Sequence, residues 1–149
     1  DWGPHDIAMS LAVIGAVPVS LRARAQQTQT PAGLGEIVDL ELAFADGVHA
    51  RIRLGNVMEQ RVRRFKVTGA QGWAVYDSIG DQPLVVQLGS EAPQAIAAAG
   101  PRPLDGIVAA FCAALESRCA TPGDVGLGVR VVGVLTDCER ALSGASSTP

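Results

Sequence analysis

Apolar residues at helical spacing open and close the chain, and residues that alternate between apolar and polar fill its middle. Ile7, Leu11 and Ile14 recur at positions i, i+4 and i+7, which predicts a first helix with one apolar face. The dipeptide Gly3-Pro4 marks the start of this helix, because proline is tolerated in a first turn. Gly15 marks its end, since glycine readily adopts the left-handed conformation that follows a helix.

The middle of the chain reads as about six strands, whose residues alternate as half-buried strands do. Residues 36–44 place apolar side chains on one face and Asp39 and Glu41 on the other. Residues 48–56 follow across an Asp-Gly turn and place Arg51 and Arg53 on their polar face, so ion pairs between the two strands are expected. The other strands are predicted over residues 17–26, 60–69, 72–78 and 84–88.

Two more apolar stripes at helical spacing predict two closing helices. The stretches 26–35, 91–101 and 143–149 are low in complexity, so they are interpreted as loops or a frayed end. The first stripe consists of Leu104, Ile107, Val108, Phe111 and Leu115, and the second of Leu127, Val131, Val134, Leu135, Cys138 and Leu142.

The order helix, strands, helix, helix predicts an α+β fold with a single domain over residues 1–149 and excludes a doubly wound fold. Short connections between successive strands predict a mainly antiparallel sheet of about six strands, with helices on one face. The other sheet face mixes apolar and charged residues. That mixture favours burial of this face against another subunit or domain.

Composition narrows the class of protein. The chain has 149 residues, of which 48% are hydrophobic and 18% charged, as expected for a globular domain with a sizeable core. A net charge of -3 gives no electrostatic footprint for nucleic acid. No polybasic run, long apolar span or signal peptide indicates a membrane partner or secretion, so neither is expected.

The three cysteines, Cys112, Cys119 and Cys138, form neither a disulfide framework nor a CxxC metal pattern. They are interpreted as buried core thiols, because free cysteine behaves as a small apolar residue. A reduced, cytoplasmic location fits this usage best.

The chemistry-bearing cluster is Asp1, His5 and Asp6 at the start of the first helix. The helix dipole disfavours a charged imidazole there, whereas a neighbouring carboxylate favours it. Such a histidine can act as acid, base or hydrogen-bond donor to a substrate oxygen, with Asp1 orienting the ring. The residues alone leave a structural alternative open, in which His5 and Asp6 are ordinary first-turn residues and Asp1 is solvated.

The other candidates favour structural roles. His49 is interpreted as a solvated strand residue, and no metal site is expected because its ligands would have to converge from distant segments. Lys66 is the single lysine among 12 basic residues and lies within a predicted strand. The Gly-x-Gly at 126–128 lacks the spacing and the preceding strand of a dinucleotide fingerprint, so the chain has no nucleotide-phosphate site of its own.

Ordered motifs along the chain resemble one family. The segments are "DWGPHDI", which fits D-x-x-x-H, then "LAVIGAVPVSLRARA", "VDLELAFADGVHARIRLG", "RRFKVTGAQGWAVYD", "PLDGIVAAFCAALE" and "GDVGLGVRVVGVLTDCERALS". Together they resemble the C-terminal domain of the Gfo/Idh/MocA family of NAD(P)-dependent oxidoreductases. No single segment is specific for the family. The resemblance rests on the order of the segments, with D-x-x-x-H as the first.

The resemblance implies a substrate-binding and oligomerisation domain whose N-terminal Rossmann domain is absent from this chain. Asp1 and His5 would be catalytic residues, and Asp6 and Trp2 would contact a small-molecule substrate such as a sugar, cyclitol or related hydroxy compound. The missing domain would bind NAD or NADP and supply the catalytic lysine. The open sheet face would form a homo-oligomer, and the isolated chain would be inactive.

Two other functions remain open at this point. The first is a non-enzymatic dimerisation or assembly module of the same fold. The second is a small hydrolase or lyase that uses His5 with Asp1, although the sequence offers neither a nucleophile nor an oxyanion-binding element for it.

Overall fold

The computed structural model describes residues 3–31, 33–58, 60–80, 84–97, 100, 103–118 and 125–145. They form an α+β fold and divide into two compact units, unit 1 (residues 1–59 and 124–149) and unit 2 (residues 60–123). Unit 1 holds α1 (Gly3–Ile14), β1 (Ser20–Thr30), β2 (Gly33–Ala43), β3 (His49–Gly55) and α3 (Val125–Ala145). Unit 2 holds β4 (Arg64–Gly69), β5 (Gly72–Asp77), β6 (Leu84–Leu88), β7 (Gln94–Ala95) and α2 (Pro103–Ser117).

Unit 1 contains an antiparallel sheet in the order β1-β2-β3, and its two faces follow the predicted alternation. On the polar face, Asp39 lies opposite Arg53 and Glu41 lies opposite Arg51. The shortest N–O distances are 3.6 Å for Arg53–Asp39 and 3.9 Å for Arg51–Glu41, so the predicted cross-strand pairs are confirmed. Both pairs are exposed and therefore add little stability.

The apolar face of this sheet packs against α1 and α3, which together bury one hydrophobic core. The predicted faces of both helices are confirmed, because their apolar stripes supply half of the core. Helix α1 ends at Gly15, whose φ is +76° and whose N–H donates to the carbonyl oxygen of Leu11 at 2.9 Å. The core residues are Ile7, Leu11, Ala23, Leu40, Leu42, Phe44, Ile52, Val131, Val134 and Cys138.

Unit 2 contains a second antiparallel sheet, in the order β4-β5-β6-β7, together with α2. None of its described residues is fully buried. The predicted helix at α2 is confirmed, but its apolar stripe is 53–70% exposed. The described strands of unit 2 therefore make no extensive contact with this stripe.

The expectation of one sheet with about six strands is wrong, since the described residues form seven strands in two sheets. The β2–β3 ladder ends at Asn56. Its N–H donates to the carbonyl oxygen of Glu36 at 3.1 Å, and its side-chain oxygen accepts from the Glu36 N–H at 2.8 Å. The described residues of 56–63, which leave out residue 59, contain no strand, and pairing resumes at Arg64, opposite Asp77.

The predicted loop at 26–35 is also wrong, because β1 continues to Thr30 and β2 begins at Gly33. Residues 26–29 are exposed, so this half of the hairpin carries no apolar alternation that a sequence pattern could detect. Within the predicted loop 91–101, two residues form β7 and pair with β6. A strand of that length is too short to produce a pattern.

The cysteines divide between two environments. Cys138 is buried, as predicted, and burial followed by the nearby carboxylates of Asp137 and Glu139 raises the pKa of its thiol. Cys112 is exposed, so its interpretation as a core thiol is wrong. It lies on α2, which makes no extensive contact with the described strands of unit 2. Cys119 lies outside the described residues.

Asp77 holds the turn that follows β5. Its carboxylate accepts the N–H groups of Ile79 at 3.1 Å and Gly80 at 3.2 Å, and the Arg64 guanidinium through two N–O contacts of 3.2 and 3.0 Å. The bond from Ile79, followed by the one from Arg64, lowers the pKa of Asp77 below its usual 3.8. The carboxylate therefore stabilises unit 2 above that pH, and this contribution is lost as the pH falls through the lower folded-state value.

We expect Arg64→Gln to raise the pKa of Asp77 towards 3.8, because the second-largest cause of its lowering is removed. A carboxyl NMR titration of both proteins measures this shift. Arg61→Gln is the matched control, since Arg61 is an exposed arginine three residues earlier. An unchanged Asp77 titration in Arg64→Gln would show that the backbone donors alone set its acidity.

Candidate functional site

The predicted site lies at the N-terminus of α1, and the structure describes part of it. His5 is exposed and Asp6 is half-buried, both in the first turn. Asp1 and Trp2 lie outside the described residues. The pairing of Asp1 with His5 and the substrate contact of Trp2 therefore stay predictions.

The first turn of α1 is anchored by close packing. Gly3 is buried, and a Cβ added to it would lie 3.7 Å from Cδ2 of Leu135 on α3 and 3.8 Å from Cδ2 of Leu54 on β3. The hydroxyl of Ser10, which is itself buried, donates to the carbonyl oxygen of Asp6 at 2.8 Å. These contacts fix the backbone that carries His5, as a preorganised site requires.

His5 projects away from the core of unit 1. At about 100° per residue, it lies roughly opposite the buried side of α1, which contains Gly3, Ile7 and Ser10. Within the described part of the chain, the imidazole makes no hydrogen bond or ion pair. An exposed imidazole on a rigid turn can exchange a proton with a ligand that approaches from outside this unit.

One contact of the single lysine was missed by sequence reasoning. The Lys66 ammonium lies 5.8 Å from the centroid of the Trp73 ring, at cation–π distance. In the β4–β5 register, Lys66 faces Val75 and Thr68 faces Trp73, which places the lysine and the tryptophan diagonally on one sheet face. The sequence could have predicted this contact, because the Gly-rich turn at 69–72 sets which residues of β4 and β5 lie opposite each other. This lysine therefore lies against an aromatic ring of its own sheet.

Two grooves lined by described residues do not contain His5 or Asp6. A groove of about 350 Å³ lies in unit 1, between residues 17–21 and α3, with Arg130 and Asp137 among its lining residues. A second, of about 360 Å³, lies in unit 2 at the end of the β4–β5 hairpin beside Trp73. His5, which is exposed, therefore lines neither of these two grooves.

The described residues bring together no group of three His, Cys, Asp or Glu side chains that could hold a metal ion. Helices α1–α3, as described, lack the combination of length and hydropathy that crossing a bilayer requires.

Comparison with protein families decides the relationship of this chain to known proteins. A family model described as "GFO/IDH/MocA C-terminal domain" matches residues 1–75, half of the chain. The chain belongs to the Gfo/Idh/MocA family. The match includes the D-x-x-x-H segment, the whole strand region of unit 1 and the β4–β5 hairpin, and it confirms the resemblance found in the sequence.

Solved structures extend the similarity to nearly the whole chain. A protein from Magnetospirillum magnetotacticum MS-1, assigned as an oxidoreductase, is 34% identical over 93% of this chain, with a TM-score of 0.79. UDP-N-acetylglucosamine 3-dehydrogenase from Acidithiobacillus ferrooxidans is 20% identical over 97%, with a TM-score of 0.82. Biliverdin reductase from Synechocystis sp. PCC 6803, solved with biliverdin and NADP+, is 17% identical over 94%, with a TM-score of 0.76.

These matches show the fold of this chain. They cover less than half of each matched protein. The two structures with the lower identities share the fold alone. The chain spans 47%, 46% and 45% of the three matched chains, so each has more than half of its length outside the similarity. A comparison with curated protein sequences finds no match.

Proposed function

We propose that this chain is the substrate-binding domain of an NAD(P)-dependent oxidoreductase that acts on a sugar, a cyclitol or a related hydroxy compound. The observation that carries the proposal is the family match over residues 1–75, with His5 exposed on an anchored first turn at its start. The solved relatives give further support, because one is a dehydrogenase of a nucleotide sugar and another holds NADP+.

Within this proposal, His5 exchanges a proton with the substrate hydroxyl. When the alcohol is oxidised the imidazole accepts this proton, and when the carbonyl is reduced it returns the proton. Asp1 orients the ring by accepting its other N–H, as carboxylates commonly do for histidine. Asp6 and Trp2 would hold the substrate beside the imidazole.

The described residues do not fit the pyrophosphate of a dinucleotide. Gly126 and Gly128 lie inside helix α3 rather than in a strand-to-helix turn, so they offer no phosphate cradle. Cofactor binding is therefore assigned to the portion of the full-length relatives outside the similarity, in a domain that precedes this one. When bound there, the nicotinamide would supply the hydride chemistry.

The polar face of the unit 1 sheet is the surface proposed for self-association. Each acidic residue of β2 on this face lies between two arginines, so the face carries more positive than negative charge. Charged rows of this kind favour specificity and register between subunits. The rows are Arg22–Glu41–Arg51 and Arg24–Asp39–Arg53.

We expect His5→Ala to lower kcat/KM of the complete enzyme by about 10²- to 10⁴-fold and to remove one limb of its pH profile. His49→Ala is the matched control, because His49 is the only other histidine and is exposed on β3. Equal effects of the two substitutions would contradict the role of His5.

The isolated chain provides the second arm of this test. Calorimetric titration with NADH should show no binding to residues 1–149 and clear binding to the complete protein. Micromolar binding by the isolated chain would contradict the proposal that a separate domain binds the nucleotide.

Light scattering on the same samples tests self-association, and a monomer at low and high salt would contradict it. An assembly module without enzymatic activity would self-associate and bind no nucleotide in either form.

A further inference from the structure

Strand β1 forms one edge of the unit 1 sheet. Among the described strands it pairs only with β2, and all 11 of its residues follow the ladder in one register, without a bulge. An edge strand can accept a further strand, so proteins usually guard it with a lysine, a proline, a bulge or a short length. Strand β1 has none of these. Its charges, Arg22 and Arg24, lie in its inner half, and its outer residues, QQTQT, are uncharged.

The opposite edge of the same β1–β2 hairpin is guarded. Strand β3 pairs with β2 only from Ile37 onwards. Before that point, the Asn56 N–H donates to the Glu36 carbonyl oxygen at 3.1 Å, and the Asn56 side-chain oxygen accepts the Glu36 N–H at 2.8 Å. Val57 packs on the buried Gly35, where an added Cβ would overlap Cγ1 of the valine. Unit 1 therefore closes the β2 side of the hairpin and supplies no strand to the β1 side.

The charges along β1 are complementary to a second copy of the same strand. When two antiparallel copies overlap along their whole length, Ala25 lies opposite Ala25 of the second copy. Arg22 then faces Thr28, and Arg24 faces Gln26, so each arginine meets an uncharged polar side chain. Like charges directly opposite each other are destabilising, and a shift of two residues would place Arg24 opposite Arg24. The register with the longest overlap is thus also one that avoids repulsion.

This register also keeps the two faces of the sheet continuous. Residues that lie opposite each other point to the same face, and Leu21 pairs with Gln29 and Ala23 with Gln27 of the second copy. The sides of both sheets that pack on α1 and α3 therefore lie on one face of a joined sheet of six strands, three from each copy. The overlap is about 37 Å long and provides about ten backbone hydrogen bonds.

We propose that β1 pairs antiparallel with β1 of a second copy of this chain, centred on Ala25, so that the sheets of two unit 1 domains join edge to edge. The inference goes beyond the proposed function, which assigns self-association to the polar face of the sheet, and it does not depend on any enzymatic activity. Pairing along the edge rests on backbone hydrogen bonds. It is therefore less sensitive to salt than a contact between rows of exposed charges.

Ala25→Cys tests the pairing in the complete protein, in a background that carries Cys112→Ser and Cys119→Ser and retains the buried Cys138. Opposite Cα atoms of an antiparallel pair are about 4.5 to 5.5 Å apart, a separation that a disulfide can span. With dissolved oxygen as the oxidant, we expect most of the protein to become a disulfide-linked dimer, at low and at high salt. Thr28→Cys is the matched control, because the two copies of residue 28 lie about 20 Å apart in this register and should stay unlinked.

Two substitutions of opposite charge at residue 28 test the register within the Ala25→Cys protein. Thr28→Arg would place two pairs of like charges across the twofold axis, each between residue 28 and Arg22 of the other copy. Thr28→Glu would place two ion pairs at the same positions. We expect the first to slow cross-linking at residue 25 by at least about threefold and the second to leave it unchanged or faster. The rates are followed on non-reducing gels.

Three results would overturn the inference. The first is the absence of a cross-link at residue 25, which is also the result expected if another part of the same chain, or a different protein, covers the β1 edge. The second is equal cross-linking of Ala25→Cys and Thr28→Cys, which would indicate random collision. The third is the same cross-linking rate for Thr28→Arg and Thr28→Glu, which would exclude the proposed register.

Discussion

We expect Leu42→Ala to lower the free energy of unfolding of unit 1 by about 3 to 4 kcal/mol. Leu42 lies in the middle strand of the unit 1 sheet and is 1% exposed. Its neighbours across the ladder are Leu21 and Ala50, and α1 and α3 contribute to the same core. Truncation removes transfer free energy and leaves a cavity, because the sheet and the two helices cannot both move inward to fill it. Urea titration followed by far-UV circular dichroism measures the loss.

Leu34→Ala makes the same chemical change in the same strand and provides the control. Leu34 is 61% exposed, so its removal should change the free energy of unfolding by no more than about 0.5 kcal/mol. Similar losses for the two variants would mean that the core of unit 1 is not centred on β2. A loss that appears as a changed urea dependence, with an unchanged midpoint, would instead indicate an altered denatured state.

The second large effect is expected for Gly72→Ala, at about 2 to 4 kcal/mol of the free energy of unfolding of unit 2. Gly72 opens β5, a central strand, and its φ is +149°, a conformation that residues with a side chain rarely adopt. A Cβ at this position would also overlap the backbone carbonyl oxygen of Gln87 on β6. Strand β6 would have to move away, which breaks the ladder between the two strands. Amide hydrogen exchange in β5 and β6 reports this directly.

Gly69 is the matched control, because it faces Gly72 across the same turn. A Cβ there would find no atom within 4 Å, and its φ lies outside the left-handed region. We expect Gly69→Ala to leave hydrogen exchange in the sheet nearly unchanged. Equal protection in both variants would show that β5 and β6 do not approach each other as closely as Gly72 requires.

The strands of unit 1 were predictable because their information is local. Alternation along 36–44 and 48–56 set the two faces, and the Asp-Gly turn fixed the register. From these, the pairs Asp39–Arg53 and Glu41–Arg51 followed. The bounds of α1 were equally local, since they depend on Gly3-Pro4 and Gly15.

The features that sequence reasoning missed depend on distant contacts. Whether β3 pairs with β4 is decided by where the ladder ends, and the Asn56 side chain ends it through a bond to Glu36. The hairpin over 26–35 is polar up to residue 30 and rich in glycine and other small residues after it, so it carries no periodic signal. The apolar stripe of α2 correctly predicted a helix, but such a stripe does not reveal which part of a protein packs against it.

The candidate site was predictable in position and only partly in its contacts. The helix start placed His5 and Asp6 together in the first turn, and the structure confirms this placement. Sequence could not reveal that Gly3 is packed between Leu135 and Leu54, because these residues come from segments far along the chain. Nor did it pair Lys66 with Trp73, which required the register of β4 and β5.

The discontinuity of unit 1 has a consequence for its synthesis on the ribosome. Its first segment, up to residue 59, emerges before unit 2, and α3 emerges after unit 2. At about 5 to 20 residues per second, several seconds pass during which the apolar face of the first sheet lacks α3. That face is covered only after α3, which carries Val131, Val134 and Cys138, has left the ribosome. The nascent chain is therefore most exposed to aggregation, and most in need of a chaperone, between the emergence of its first segment and the emergence of α3.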